Sequence, residues 1–337
     1  MSEDFRTLTL LDWLENDLLL TIENFQPASS DASFRRYFRV TTPDATMIVM
    51  DAPPDKENLP AFINAAKLLA SVGVKSPAIF QQNLEDGFLL LEDFGNQCFL
   101  DAVTHGNADH LYQLAMDSLF NIQTRTDSQT LALPRYDEAL LNRELGIFSG
   151  WFVSELLDLI IPDSLAENVN ALLISSALAQ PVTFVHRDYH SRNLMLLDDL
   201  TLGILDFQDA VIGPITYDLV SLLRDCYIAW PQPQIEHWLA QYWQRLQATG
   251  LVSVDLPQFS RWFNLMGLQR HLKAIGIFSR LHLRDGKSNY LHDIPRTLDY
   301  VQAITSIYPE LAEFDHFIRQ QAQPTYHGFL QKAAVQP

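Results

Sequence analysis

Residues 184–195 read FVHRDYHSRNLM and set His186, Asp188, His190 and Asn193 behind a short apolar run. Three kinds of chemistry use such residues. His186, Asp188 and His190 alternate, so in an extended segment they share one face, as a metal hydrolase would require. Yet no further ligand is announced nearby, and Arg187 and Arg192 would repel a cation. A capped strand-to-helix turn with solvated side chains is the plainest alternative. A third reading absorbs more residues. Asn193 follows Asp188 by five positions, and Asp206 in LDFQD closes another apolar run. Phosphoryl transfer needs Mg²⁺ on hard oxygen ligands and a base for the acceptor's proton. Asn193 and Asp206 fit the first need, and Asp188 fits the second.

Such a set works only if the chain brings it together. The runs on either side of LDDLT (197–201) read as a hairpin that carries Asn193 and Asp206. Upstream, an amphipathic helix over 7–20 precedes three short β runs at 18–25, 33–40 and 46–50. A helical pattern over 59–74 stops near Gly73, and 78–95 reads as a hairpin. After Gly95 the character changes. Helical patterns cover 108–125, 137–160, 163–180 and 215–229, then 234–248, 257–282 and 295–323. Only VTFV and TLGILDF interrupt them as β runs. The expectation is an α+β, two-lobed chain, with a β-rich lobe at 1–95, a helical lobe at 96–337 and a ligand cleft at the joint.

Bulk properties narrow the partners. The chain has 337 residues, 47% hydrophobic and 19% charged, which suits a large globular core. A net charge of −18 argues against nucleic acid and anionic membranes. Two cysteines, Cys98 and Cys226, cannot make a disulfide framework. Residues 168–185 carry no charge, but their Asn, Gln, Ser and Pro favour a buried helix followed by a strand over a membrane span. A soluble, cytoplasmic monomer is expected.

The pattern His186-Arg-Asp188, Asn193, Asp206-Phe-Gln resembles the protein-kinase-like fold, and within it the aminoglycoside phosphotransferase and choline kinase family. Its bacterial sugar 1-kinases for N-acetylmuramate and N-acetylglucosamine are the most similar branch. SSDASFRRYFRV, LLLEDFG, HRDYHSRNLM, DFQDAVIGPITYDLVSLLRDCY and GLQRHLKAIGIFSRL carry the likeness in order. It implies ATP and Mg²⁺ as cofactors, a small sugar as partner, and Asp188 as catalytic base. Eleven residues (207–217) separate Asp206 from Asp218, which leaves no room for a protein kinase's activation segment. Asp218 is expected to anchor the catalytic loop through backbone hydrogen bonds.

The small lobe departs from the family's pattern. The first 72 residues contain no glycine, so PASSDASF must hold phosphates through backbone N–H groups and Ser29, Ser30 and Ser33. Met50 stands where the third strand would carry a lysine, and the following helix offers no glutamate. An arginine of FRRYFR is the expected substitute, with Arg35 and Arg39 on one strand face and Arg36 on the other. Arg35 and Arg36 are the nucleotide-side candidates, and the backbone of Leu91, Glu92 and Asp93 is the adenine contact. A pseudokinase would lose these groups too, but would seldom keep Asp188, Asn193 and Asp206.

On the acceptor side the acidic average breaks down. Residues 261–296 hold seven Lys/Arg against two Asp, which suits a neutral or anionic sugar better than a polycationic aminoglycoside; another small-molecule kinase, for an antibiotic or an amino alcohol, is the alternative. His190, Arg192, Arg224, Asp225, Arg270 and His271 are the acceptor candidates, and Trp151-Phe152 is an aromatic pair that could equally be core.

Overall fold

The computed structural model describes residues 3–29, 34–129 and 131–335. They form two compact units. One comprises residues 1–105 together with 193–209, and the other comprises 106–192 together with 210–337.

In the first unit, helix α1 (Glu3–Asp12) leads into strands β1 (Asn24–Ser29), β2 (Arg36–Thr41) and β3 (Thr46–Asp51). Helix α2 (Leu59–Ser71) and strands β4 (Ile79–Asn83) and β5 (Phe88–Glu92) follow. The five strands form an antiparallel sheet in the order β1-β2-β3-β5-β4. Alternation along the strands gives the sheet two different faces. Phe38, Val40, Val49, Phe88 and Leu90 pack on one face with Leu10, Trp13 and Leu14 of the N-terminal helical segment. Tyr37, Arg39, Ile48 and Met50 belong to the other. Asn58 caps α2 by accepting the Ala61 N–H at 3.1 Å, and Gly73 at φ +76° marks its end. The apolar run at 18–25 is not the strand its composition suggests. Leu18 and Leu20 donate their N–H groups back to Trp13 and Leu14, so β1 starts only at Asn24.

A short helix, α3 (Phe99–Ala102), ends this part of the chain. The unit is completed by a distant hairpin whose strands are given below.

The second unit is mostly helical: α4 (Ala108–Arg125), α5 (Glu138–Ile147) with a wider-wound continuation over Phe148–Leu156, and α6 (Asp163–Leu178). Strand β6 (Val182–Val185) then leads to the hairpin of β7 (Leu194–Leu196) and β8 (Leu202–Ile204), and β9 (Val211–Pro214) returns to pair with β6. The uncharged run at 168–185 is thus helix α6 and strand β6, and no helix among the described residues is long and apolar enough to cross a membrane.

Helix α7 (Tyr217–Leu223) is shorter than the pattern at 215–229 suggests. Asp225 accepts the Tyr227 N–H at 2.9 Å, and this local turn competes with further helix. Helices α8 (Gln232–Thr249), α9 (Leu256–Asp285), α10 (Ile294–Thr305), α11 (Ala312–Phe317) and α12 (Gln323–Val335) complete the chain. The pattern at 295–323 breaks after Thr305, where Pro309 follows a turn.

Helix α9 organises this unit. Asp255 caps its start through the Gln258 N–H at 3.0 Å, and Gly286 at φ +68° ends it. A Cβ at Gly276 would lie 2.6 Å from the Ile147 carbonyl and 2.7 Å from the Phe148 nitrogen. Only glycine lets the two backbones come this close, and one turn earlier on each helix that approach joins Lys273 to Glu144.

Candidate active site

In the second unit, residues 186–192 leave β6 and are held by α7. The buried Asp218 carboxylate accepts the backbone N–H of His186 at 2.6 Å and of Arg187 at 3.0 Å. The Ser221 hydroxyl donates to the Arg187 carbonyl at 3.3 Å, and Asp225 accepts the Ser191 N–H at 2.9 Å. Three side chains of one short segment thus fix the backbone on both sides of Asp188, and the anchoring role expected of Asp218 is the one observed. Arg187 pays for this with φ +78°, a left-handed conformation that a non-glycine residue keeps only when its surroundings enforce it. Burial pushes the Asp218 carboxyl up to about 7, against its two amide donors. His186 turns inward, fully buried, and its ring meets Tyr189 edge-on at 5.8 Å.

Asp188 is half-buried. Burial alone would raise its carboxyl, but the charges of Lys273, His190, Arg270 and Arg187 outweigh it and hold the group below the ordinary carboxylate range. At neutral pH it is ionised and can accept a proton. Lys273 and Arg187 are themselves held by the buried Glu144, at 2.9 and 2.5 Å. Tyr136 donates to the other Glu144 oxygen, with Gln269 at 3.3 Å.

In the first unit, the β7–β8 hairpin carries Asn193 and Asp206. The Leu205 N–H donates to the Asn193 carbonyl at 2.9 Å, and the Asn193 amide stands 3.5 Å from the Asp206 carboxylate. Asp206 also sits in the left-handed region, at φ +61°. Gln208 donates to Asp206 at 2.5 Å, while its own buried Oε1 has no hydrogen-bond partner. Among the described residues no three His, Cys, Asp or Glu converge to cage a metal. One carboxylate and two amides stand together here, and with the amide oxygens turned inward they would suit Mg²⁺, which takes few protein ligands and relies on phosphates and water for the rest.

The profile of a phosphotransferase enzyme family, APH, matches residues 24–257. The chain belongs to that family. It is 45% identical to an N-acetylmuramate/N-acetylglucosamine kinase of Pseudomonas putida, over 94% of this chain and 97% of that one. A kinase of the same description from Neisseria meningitidis serogroup B is 40% identical, over 91% and 93% of the two chains. A choline kinase of Streptococcus pneumoniae superposes with a TM-score of 0.63 over 88% of this chain and 99% of its own. At 11% identity that likeness speaks for the protein-kinase-like fold alone.

The phosphotransferase distributes its nucleotide-side candidates unevenly. Ser30 and Ser33 lie outside the described residues, and Ser29 is the last residue of β1. Arg36 points to the α1 face, where it and Arg6 both bind the fully buried Asp51 carboxylate. That engagement argues against its reading as a nucleotide contact. Arg39 grips Asp93 at 2.7 and 2.9 Å, and this pairing, against the effect of burial, holds the Asp93 carboxyl below its usual range. Arg35 lies just before β2, outside the strand whose alternation would have paired it with Arg39. It reaches Asp206 at 3.5 Å and Glu57 at 3.8 Å. Leu91 lies in the ladder opposite Ile48, and Glu92 donates its N–H to Ala78 and binds Lys75 at 2.7 Å.

The acceptor candidates separate as well. His190 lies edge-on to Tyr227 at 5.2 Å, and the exposed Arg192 covers that ring at 3.7 Å. Arg270 is only 6% exposed, and its Nε and Nη1 have no hydrogen-bond partner. Its charge acts on Asp188. Arg224, Asp225 and His271 are taken up by the interior. Arg224 donates to Asn264 at 2.9 Å, Asp225 holds Ser191 and Tyr227, and His271 bonds the Arg224 carbonyl at 2.9 Å. All three are buried in this structure, and these contacts hold the loop and α9 together. Phe152 is fully buried against Phe148 and Tyr326, hence core.

Glu57, Glu144 and Gln208 were missed in the sequence. Only Gln208 carried a signal, as the third residue of Asp-Phe-Gln.

Proposed function

We propose that the chain is an ATP- and Mg²⁺-dependent kinase that phosphorylates the anomeric hydroxyl of N-acetylmuramate and N-acetylglucosamine. The observation that carries the chemistry is Asp188, an ionised carboxylate on a loop anchored at three points, five positions before Asn193. As the acceptor oxygen bonds the γ-phosphorus, Asp188 takes its proton, the bridging bond breaks and ADP leaves with the electron pair. Asn193, Asp206 and Gln208 would hold Mg²⁺, which supplies charge neutralisation at the phosphates when bound. The anomeric hydroxyl is the most acidic of a sugar's hydroxyls, so an aspartate suffices as base.

The acceptor follows from the names of the kinases at 40–45% identity. A monomer acting in the cytoplasm, where ATP is made, fits this reading. The test offers ATP with each amino sugar, its methyl glycoside, choline and kanamycin. Turnover of both free sugars to an acid-labile 1-phosphate is expected. Phosphorylation of a methyl glycoside, or a preference for kanamycin or choline, would refute the acceptor. Nucleotide binding with no turnover on any acceptor would make the chain a pseudokinase.

A further inference from the structure

Transfer of a phosphoryl group calls for a cation against the β- and γ-phosphates. In this chain the third strand cannot supply it. Met50 is 1% exposed and lies in the ladder between Tyr37 and Leu89. The three arginines at β2 are separated by their partners. Arg36 is held with Arg6 by Asp51 on the face covered by α1. Arg39 is committed to Asp93, Asn96 and the Gly95 carbonyl, a bidentate grip that fixes the segment after β5. Arg35 reaches the hairpin carboxylate that would hold the metal. Its side chain is 9% exposed, with Asp206 at 3.5 Å on one side and Glu57 at 3.8 Å on the other.

Both distances are longer than the 2.7 Å of Arg39–Asp93. A planar guanidinium spanning two carboxylates at this range can exchange part of that contact for phosphate oxygens, whose geometry it matches. Glu57 immediately precedes Asn58, the capped start of α2, and its backbone N–H donates to Pro53 at 2.9 Å. It therefore stands on a fixed segment rather than within a helix. Glu57 is 22 positions from Arg35 in sequence, and no helix pattern would reveal it.

We propose that Arg35 is the phosphate-contacting cation of this enzyme and that Glu57 is its positioning residue, together replacing a strand lysine and its helix glutamate. This assignment rests on the kinase reading above. It differs from that reading in what it predicts for nucleotides alone, without any acceptor.

The experiment measures binding of Mg²⁺-ATP and of adenosine by titration calorimetry, beside ATP dependence of turnover. For Arg35→Gln, ATP binding should weaken about 10- to 100-fold, the loss of one or two charge-assisted hydrogen bonds, while adenosine binding holds. Arg35→Lys should recover part of the loss. Glu57→Gln should raise the KM for ATP several-fold with a smaller change in kcat, since its partner remains but is less well aimed. Arg36→Gln, on the other sheet face, should lower thermal stability yet leave the ratio of ATP to adenosine affinity unchanged. If Arg35→Gln keeps the wild-type ratio, or if Arg36→Gln is the variant that loses it, the assignment is overturned. If Arg35→Gln does not fold, Arg35→Lys with unaltered ATP affinity and Glu57→Gln with unaltered KM would together overturn it. Should the unaltered protein bind no ATP, the kinase reading itself fails, and that result is distinct from the others.

Discussion

At the scale of single residues, the site is a balance between burial and charge. Asp188 stays ionised because its basic neighbours, Lys273 foremost, outweigh its desolvation. Asp188→Asn should keep ATP binding while turnover falls about 10²- to 10⁴-fold, the usual contribution of a general base. Near-normal turnover would remove Asp188 from the mechanism. His271 shows the opposite balance. It is fully buried, stacked on Tyr300 at 4.9 Å, and burial lowers it to about 3. Its folded form binds fewer protons than the unfolded form, whose imidazole titrates near ~6.5. Stability from this residue is therefore present above that pH and is lost as the pH falls toward about 3. Wild-type unfolding midpoints should drop between pH 6.5 and 4.5. In His271→Gln this drop should shrink, and an unchanged slope would show that other groups control acid sensitivity.

At the scale of elements, the packing of α9 against the end of α5 decides where the charges lie. The contact at Gly276 is backbone against backbone, so no side chain can move aside for an added methyl group. Gly276→Ala should destabilise by about 1–3 kcal/mol, as overpacking does. It should also loosen the Glu144–Lys273 pair and so disturb Asp188. A lowered unfolding midpoint together with an acid limb of activity shifted to higher pH is the expected signature. A variant as stable as wild type would mean that the helices separate freely. Elements are also where sequence reading stopped short. β9 is four residues containing Gly and Pro, too brief for periodicity, and the 18–25 run has strand composition but spends its N–H groups on the preceding helix.

For the molecule as a whole, legibility followed sequence distance. That Asn193 and Asp206 meet on one hairpin, and that Asp218 holds the backbone before Asp188, could be read because hairpin and loop geometry follow from spacing. The lobes' secondary structure could be read from the switch between alternating and helical periods. Arg35 with Asp206, 171 positions apart, and Glu144 with Lys273 could not. Which cation meets which acid is set by tertiary approach, and three arginines within five residues look alike until their partners are known. The same limit applies to Arg224, Asp225 and His271, whose polarity was visible but whose burial was not.

The hairpin of residues 193–209 has a consequence for synthesis. It joins the first unit through Lys75–Gly203 and Cys98–Met195 bridges, the Ile204 N–H on the Lys75 carbonyl at 2.8 Å, and Phe207 against Phe62 at 4.8 Å. Gly203 is where the Phe94 ring rests, since a Cβ there would come within 2.4 Å of it. A nascent chain that has exposed its first 105 residues lacks all of these partners. At ribosomal speed roughly 5–20 s pass before the hairpin emerges. During that interval the Lys75 and Gln97 carbonyls and the rings of Phe62 and Phe94 lack their final partners, an invitation to pair with a neighbouring copy. The first 105 residues of this enzyme are thus translated first but finished late.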